Sequence, residues 1–161
     1  MTRDLTHIGP DGRARMVDIG NKDVTDREAV ARGRLRLSEA ALAQCLSGTS
    51  RKGDPLAVAE LAGIMGAKRT ADLIPLCHPL PLTAVEVRIE PQKDVPALIV
   101  TATVRTSGRT GVEMEALSAA SIACLTLYDM LKSVDKAMVI EGLALVSKSG
   151  GTSDGYQAAA P

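Results

Sequence analysis

Residues Thr106 to Lys136 read TSGRTGVEMEALSAASIACLTLYDMLKSVDK, and the folding of this stretch decides the architecture of the chain. Gly108 and Gly111 allow a tight turn, Thr110 is a candidate N-cap, and Glu113 stands three residues later, where a capping box places its acid. A helix is therefore expected from Gly111. Past Val112, the residues Met114, Leu117, Ala120, Ile122, Cys124, Leu125, Leu127, Met130 and Leu131 leave little polar surface, as in a helix buried on most sides. Glu113, Glu115, Asp129 and Lys132 are the exceptions, and an unpaired buried charge is strongly destabilising. Asp129 and Lys132, at i and i+3, share a helix face and can touch each other or one ligand. Glu115 precedes Asp129 by fourteen residues, about 21 Å along an unbroken helix. A small ligand does not span that distance. If both ends serve one site, either a second subunit supplies one end or the helix breaks.

The remaining composition narrows the setting. A length of 161 residues suits one domain with a full core, expected here over 1–161, with an arm at 1–24 and a tail at 149–161 as its mobile parts. There is no Phe or Trp and only two Tyr, so that core must be built from Ala, Leu, Val, Ile and Met. Lys plus Arg number 19 and so do Asp plus Glu, so no net field draws the chain to nucleic acid or an anionic membrane. The three cysteines, Cys45, Cys77 and Cys124, are far apart and outside any C-x-x-C pattern. That argues against a disulfide framework or a zinc site and fits a reducing cytoplasm. With no N-terminal apolar run or long hydrophobic span, neither secretion nor membrane insertion is expected.

Along the chain, His7-Ile8 and the turn Gly9-Pro10-Asp11-Gly12 predict a hairpin-like arm or a loose tail. The alternation Arg34-Leu35-Arg36-Leu37 predicts a half-buried strand within 29–37. Ser38 caps a short helix ending at Gly48, and Asp54 with Pro55 opens a second that runs to about Lys68. Arg69 to Ile74 adds a turn halted by Pro75. Ala84–Glu90 and Leu98–Arg105 alternate cleanly as two strands of a hairpin, and Met138–Lys148 is a last strand after the long helix. The resulting β-α-β-β-α-β order is that of an α+β, ferredoxin-like fold, an antiparallel sheet with helices packed on one face.

Several polar residues are candidates for chemistry, each with a plainer reading beside it. Cys77-His78 lies in LIPLCHPLPL, stiffened by Pro75, Pro79 and Pro81, where an imidazole is oriented and partly desolvated, as an acid, base or binding group would be; the plainer reading is a core histidine bonded to a carbonyl. Lys52, before the helix opened by Asp54, has an anion-binding loop as one reading and a solvated lysine as the other. Glu113 is explained equally by capping, Glu115 by the helix dipole, and the Asp129–Lys132 pair by an ion pair worth about 0.2 to 0.5 kcal/mol. Lys148, where a strand meets the Gly/Ser-rich tail, closes over an anion or is simply solvated.

The runs LTHIGPDGRARMVDIG, KGDPLAVAELAGIMGAKRTADLIPLCHPL, TSGRTGVEMEALSAASIACLTLYDMLKSVDK and LVSKSGG together resemble the MoaC family, the cyclic pyranopterin monophosphate synthases of molybdenum cofactor biosynthesis. The resemblance covers Leu5 to about Gly151. It implies a ferredoxin-like subunit of a cytoplasmic homohexamer, a trimer of dimers with active sites between subunits. It also implies a lyase that converts 3′,8-cyclo-7,8-dihydro-GTP, supplied by an upstream radical GTP cyclase, into cyclic pyranopterin monophosphate (precursor Z) with release of pyrophosphate. By that resemblance Asp129 is the catalytic acid/base with Lys132 beside it, and Lys52 and His78 are further catalytic positions. Leu76, Cys77 and His78 form one substrate-binding segment, Met114 and Glu115 another with Glu113 adjacent, and Arg27 and Lys148 lie near the substrate's phosphates. No resident metal or cofactor is implied, and magnesium carried by the phosphates stays open. One departure stands out: many relatives continue KSGG with another lysine, and Thr152 holds that place here.

Two other function classes share this architecture. A ligand-binding regulatory module can share this fold, yet it has no need of Lys52, His78, Asp129 and Lys132 together. An RNA-binding domain of the same strand order relies on stacking aromatics, which a chain without Phe or Trp lacks.

Overall fold

A computed structural model describes residues 7–48, 53–151 and 155–158. The alternating first segment forms strand β1 (Thr25–Arg36), with Ala29, Ala31 and Leu35 buried on one face. The Ser38 Oγ accepts the Ala41 N–H at 3.3 Å and starts helix α1 (Glu39–Leu46). Asp54 starts α2 (Pro55–Lys68) in the same way, its Oδ1 accepting the Leu56 and Ala57 amides at 2.9 and 3.4 Å. A single turn, α3 (Thr70–Leu73), stops before Pro75. Strands β2 (Leu82–Pro91) and β3 (Ala97–Gly108) form the hairpin, which turns through Asp94 at a φ of 59°. The long helix α4 (Glu113–Leu131), strand β4 (Val139–Ser149) and the short β5 (Tyr156–Gln157) complete the described chain.

The five strands form one antiparallel sheet in the order β2-β3-β1-β4-β5, which gives the expected ferredoxin-like arrangement an added edge strand. α4 lies across β1, β3 and β4, while α2 covers β2 and packs along α4. Buried Leu35, Leu98, Leu127 and Leu131 each contribute roughly 1.5–3 kcal/mol by leaving water. With Phe and Trp absent, close helix packing fills the rest of the core: Ala116, Ala119, Ala120 and Ala123 are fully buried on α4. Facing them, Gly63 lets α2 approach so near that a β-carbon there would stand 3.0 Å from the Ala119 carbonyl oxygen. Beyond the end of α4, Asp135 accepts the Ser38 amide at 2.7 Å and the Ala137 amide at 2.8 Å. These two bonds, the Ser38 bond foremost, hold its carboxyl below the usual range and tie the end of α4 to the start of α1.

Four details differ from the sequence reading or decide between its alternatives. The capping box is not formed: α4 begins at Glu113 rather than Gly111, its N-cap is Val112 without a side-chain bond, and the Glu113 carboxylate is engaged by Lys148 instead. α4 is less enclosed than its apolar run predicts, since Met114 and Leu125 are exposed in the single chain. The tail returns as β5, Tyr156 and Gln157 pairing with Lys148 and Ser147. The arm is a hairpin and not a loose tail, with Ile8 bridging Ala14 and the Arg15 amide donating to the His7 carbonyl at 2.9 Å. α4 alone is long and apolar enough to cross a membrane among the described residues, but its Ala-rich face is packed on the sheet as the core helix.

Candidate functional site

The 74–81 segment is fixed at both ends. The Cys77 amide closes a turn onto the Ile74 carbonyl at 3.1 Å, and the buried Thr106 hydroxyl donates to the Pro81 carbonyl at 2.7 Å. Between these anchors Leu76, Cys77 and His78 are half-buried and face the start of α4 across a cavity of about 480 Å³. Ile74 to His78 and Leu80 make one wall; Thr110, Gly111 and Glu113 to Glu115 make the other, with His7 at the rim from the arm. His78 is thus a cavity residue, and among the described residues no carbonyl accepts from its imidazole.

The acids at this end have different surroundings. Glu115 is only 4% exposed, and burial, with the nearby Glu113 charge adding to it, pushes its carboxyl up against the opposing hydrogen bond from its own amide. Burial likewise pushes the Cys77 thiol up, and the charge of Glu115 adds to that rise. The other two cysteines belong to the core: burial lifts both Cys45, where Asp54 adds to the effect, and Cys124 to about 11, leaving them unreactive thiols. Glu113 is open enough to pair with Lys148, its Oε1 accepting from Nζ at 2.8 Å. That contact depends on Gly111, because a β-carbon there would overlap the Glu113 carboxylate.

Lys148 reaches this corner because β4 pairs it with Ala29 on β1, and the chain then turns at Gly150 and Gly151, with φ of 88° and 86°. A side chain at either glycine would collide with the Asp26 carbonyl or the Arg27 guanidinium. Arg27 lies under this turn and donates from Nε to the Gly108 carbonyl at 2.9 Å. Two cations, two carboxylates and an imidazole therefore gather near the start of α4, beside the apolar side chains of Ile74, Leu76, Leu80 and Met114.

At the far end of the same helix, the Lys132 Nζ donates to the Asp129 Oδ1 at 2.6 Å, both side chains being more than half exposed. This hydrogen bond, and then the charge of Asp129, raises the Lys132 ammonium and keeps it protonated. The pair lines a second cavity of about 400 Å³ with Tyr128, Ser133 and Lys136. α4 is unbroken from Glu113 to Leu131. The expected site residues therefore fall into two groups in one subunit: Leu76, Cys77, His78, Glu113, Met114, Glu115, Lys148 and Arg27 at one end, Asp129 and Lys132 at the other. Lys52 and Thr152 lie outside the described residues.

Sequence reading passed over His7, Thr110 and Gly111 at the first cavity and Tyr128, Ser133 and Lys136 at the second. For His7 the turn Gly9-Pro10-Asp11-Gly12 was the available signal, since a hairpin can return a side chain to the body of the fold. Tyr128 and Ser133 stand four residues from Lys132 and Asp129, so they were in reach of the same face argument, whereas Lys136 lies past the end of α4 and was not.

The family described as the MoaC family matches residues 16–151. A protein of Dinoroseobacter shibae is 56% identical over 154 residues, covering 96% of this chain and 98% of its own length. One from Cereibacter sphaeroides is 56% identical over 156 residues, covering 97% and 98%. One from Brucella ovis is 55% identical over 161 residues, covering 100% and 98%. All three carry the name cyclic pyranopterin monophosphate synthase.

Proposed function

The chain belongs to the MoaC family, and from that premise we propose that it is a cyclic pyranopterin monophosphate synthase, a lyase of molybdenum cofactor biosynthesis. Its substrate in this reading is 3′,8-cyclo-7,8-dihydro-GTP, delivered by an upstream radical GTP cyclase. The reaction opens one ring of that intermediate and closes another, and each rearrangement moves protons. Closing the cyclic phosphate joins a substrate hydroxyl oxygen to the α-phosphorus and breaks the bond to the β-phosphate, so that pyrophosphate leaves.

The residues suit these steps. The apolar walls of the first cavity fit a flat heterocycle, and the Glu113 and Glu115 carboxyls fit the N–H donors on its edge. His78 stands in the same cavity as a proton donor or acceptor. Arg27 and Lys148 offset phosphate charge. Asp129 accepts and returns protons while Lys132, held charged, stabilises developing anions. Lys52 is assigned a catalytic role on resemblance alone. The reading requires no resident cofactor or metal, and magnesium bound to the phosphates is compatible with it. Three free thiols suit the cytoplasm as the place of action.

The observation that carries the assembly is the unbroken α4. Because Glu115 and Asp129 are separated by about 21 Å of continuous helix, a site that uses both takes its two ends from two subunits. The exposed Leu61, Met65 and Leu125 give a subunit apolar surface to bury in such contacts. We assign a homohexamer, a trimer of dimers, as the assembly. The test is to mix the purified protein with 3′,8-cyclo-7,8-dihydro-GTP and follow pyrophosphate and pyranopterin together; equal amounts of both support the enzyme assignment, and neither product would sink it. Mixing Glu115→Ala with Asp129→Asn subunits then tests the shared site. Equal mixing with free exchange restores about a quarter of wild-type turnover, since each half of a site has an even chance of being intact. No recovery after demonstrated exchange would remove the composite site.

A further inference from the structure

The N-terminal hairpin brings a group to the first cavity that none of the assignments above uses. His7 stands at the open end of the hairpin, where its carbonyl accepts the Arg15 amide at 2.9 Å and the Ile8–Ala14 bridge follows. The tip is closed by Gly9, whose amide donates to the Arg13 carbonyl at 2.8 Å, and by the Asp11 Oδ1, which accepts the Arg13 amide at 3.1 Å. The backbone of His7 is therefore set by local bonds, and its exposed imidazole lines the cavity with Cys77, His78, Glu113 and Glu115.

A second contact fixes the arm relative to the fold. Arg109 donates from Nη1 to the Gly20 carbonyl at 2.6 Å, and Gly20 is itself held by Asp18, whose Oδ1 accepts its amide at 2.8 Å. Arg109 immediately precedes Thr110 and Gly111, which form the cavity wall, and follows Gly108, whose carbonyl holds Arg27. One short segment thus positions the arm, the cavity wall and a phosphate-side cation together.

We propose that His7 is a substrate-contacting residue, its imidazole hydrogen-bonding the nitrogen heterocycle in the first cavity, and that Arg109 is a positioning residue that holds the arm there. An imidazole offers a donor and an acceptor at once, where the facing carboxylates only accept. The proposal rests on the substrate class given under Proposed function and adds a contact to that same site.

The experiment compares wild type, His7→Ala, His7→Gln and Arg109→Ala by direct titration with 3′,8-cyclo-7,8-dihydro-GTP and by steady-state turnover. Loss of one hydrogen bond to a bound ligand predicts a roughly tenfold weaker affinity for His7→Ala, read mainly in KM. Melting temperature stays unchanged because the side chain is exposed. His7→Gln, which keeps a donor and an acceptor, recovers part of the affinity, and added free imidazole improves His7→Ala. Arg109→Ala raises KM without any response to imidazole, because its imidazole is still present on a released arm. Wild-type affinity and turnover in His7→Ala would overturn the proposal and leave the enzyme assignment standing. Absence of binding and turnover in the wild type would overturn both.

Discussion

Gly63→Ala puts one methyl group into the close contact between α2 and α4. In an exposed helix the change is stabilising by about 1 kcal/mol, because alanine loses less backbone freedom than glycine. Here the new β-carbon meets the Ala119 carbonyl oxygen at 3.0 Å, the Val87 Cγ2 at 3.0 Å and the Ala123 Cβ at 3.2 Å. The Val87 methyl can turn aside, but the carbonyl and the β-carbon of Ala123 are part of the α4 frame and cannot. α2 and α4 must separate by a few tenths of an ångström, while α4 is held by the sheet beneath it and by Asp135 at its end.

Overpacking of that kind costs about 1–3 kcal/mol. Set against the propensity gain, a net loss of roughly 1–2 kcal/mol is expected, toward the upper part of the range because the opposing atoms are backbone-fixed. For a chain of this size that lowers Tm by about 2–8 °C. Thermal and urea unfolding of wild type and variant at one protein concentration measure it, since any assembly makes the midpoint concentration-dependent. A variant that melts at or above the wild-type temperature would refute the reasoning, because it would mean that α2 and α4 have slack at this contact.

Glu115→Gln tests the buried acid. Its carboxyl is raised from 4.5 by burial and by Glu113, so the wild-type fold holds this proton more tightly than the unfolded chain does. The stability that comes from the protonated form is full below 4.5 and is lost as pH rises through the folded value. Glutamine removes the loss, so the variant gains stability over wild type at pH 7–8 and not at pH 4; parallel stability–pH curves would refute this. For the ion pair between Glu113 and Lys148, about two-thirds or more buried on both sides, a double-mutant cycle with Glu113→Gln and Lys148→Met gives a coupling of about 0.5–2 kcal/mol in urea unfolding. A coupling of zero would mean the 2.8 Å contact contributes nothing. Asp129→Asn retains the fold and assembly but lowers kcat by about 10²–10⁴, the range for removing an acid/base group; near-native kcat would take that role from Asp129.

What could be read in the sequence was local. Ser38, Asp54 and Pro55 name helix starts within a few residues of themselves, and Ala84–Glu90 and Leu98–Arg105 alternate wherever they sit, so element order and the sheet followed. The exception was Glu113, where a local rule met a distant partner. Thr110 and Glu113 have capping-box spacing, yet a carboxylate in a capping box would have to leave Lys148. The ion pair forms because the β1–β4 register sets Lys148 opposite Ala29, a fact that no window around Glu113 contains. Gly63 was invisible for the same reason: a glycine inside a helix reads as a weak residue until the neighbouring helix is known.

The site was half legible on the same principle. Its chemistry could be listed from residue types, and the spacing of Glu115 and Asp129 stated a geometric problem with two solutions, a broken helix or a second subunit. The structure removes the first. α4 runs through the core without a kink-inducing proline or glycine between Glu113 and Leu131, its buried Ala119 and Ala123 set against Gly63 of α2 and its Ile122 against Gly66. A kink that brought Asp129 back toward Glu115 would have to pull those alanines off α2 and the sheet, at about 0.8 kcal/mol for each methyl exposed. The packing that keeps the helix straight therefore also keeps Glu115 and Asp129 of one chain apart.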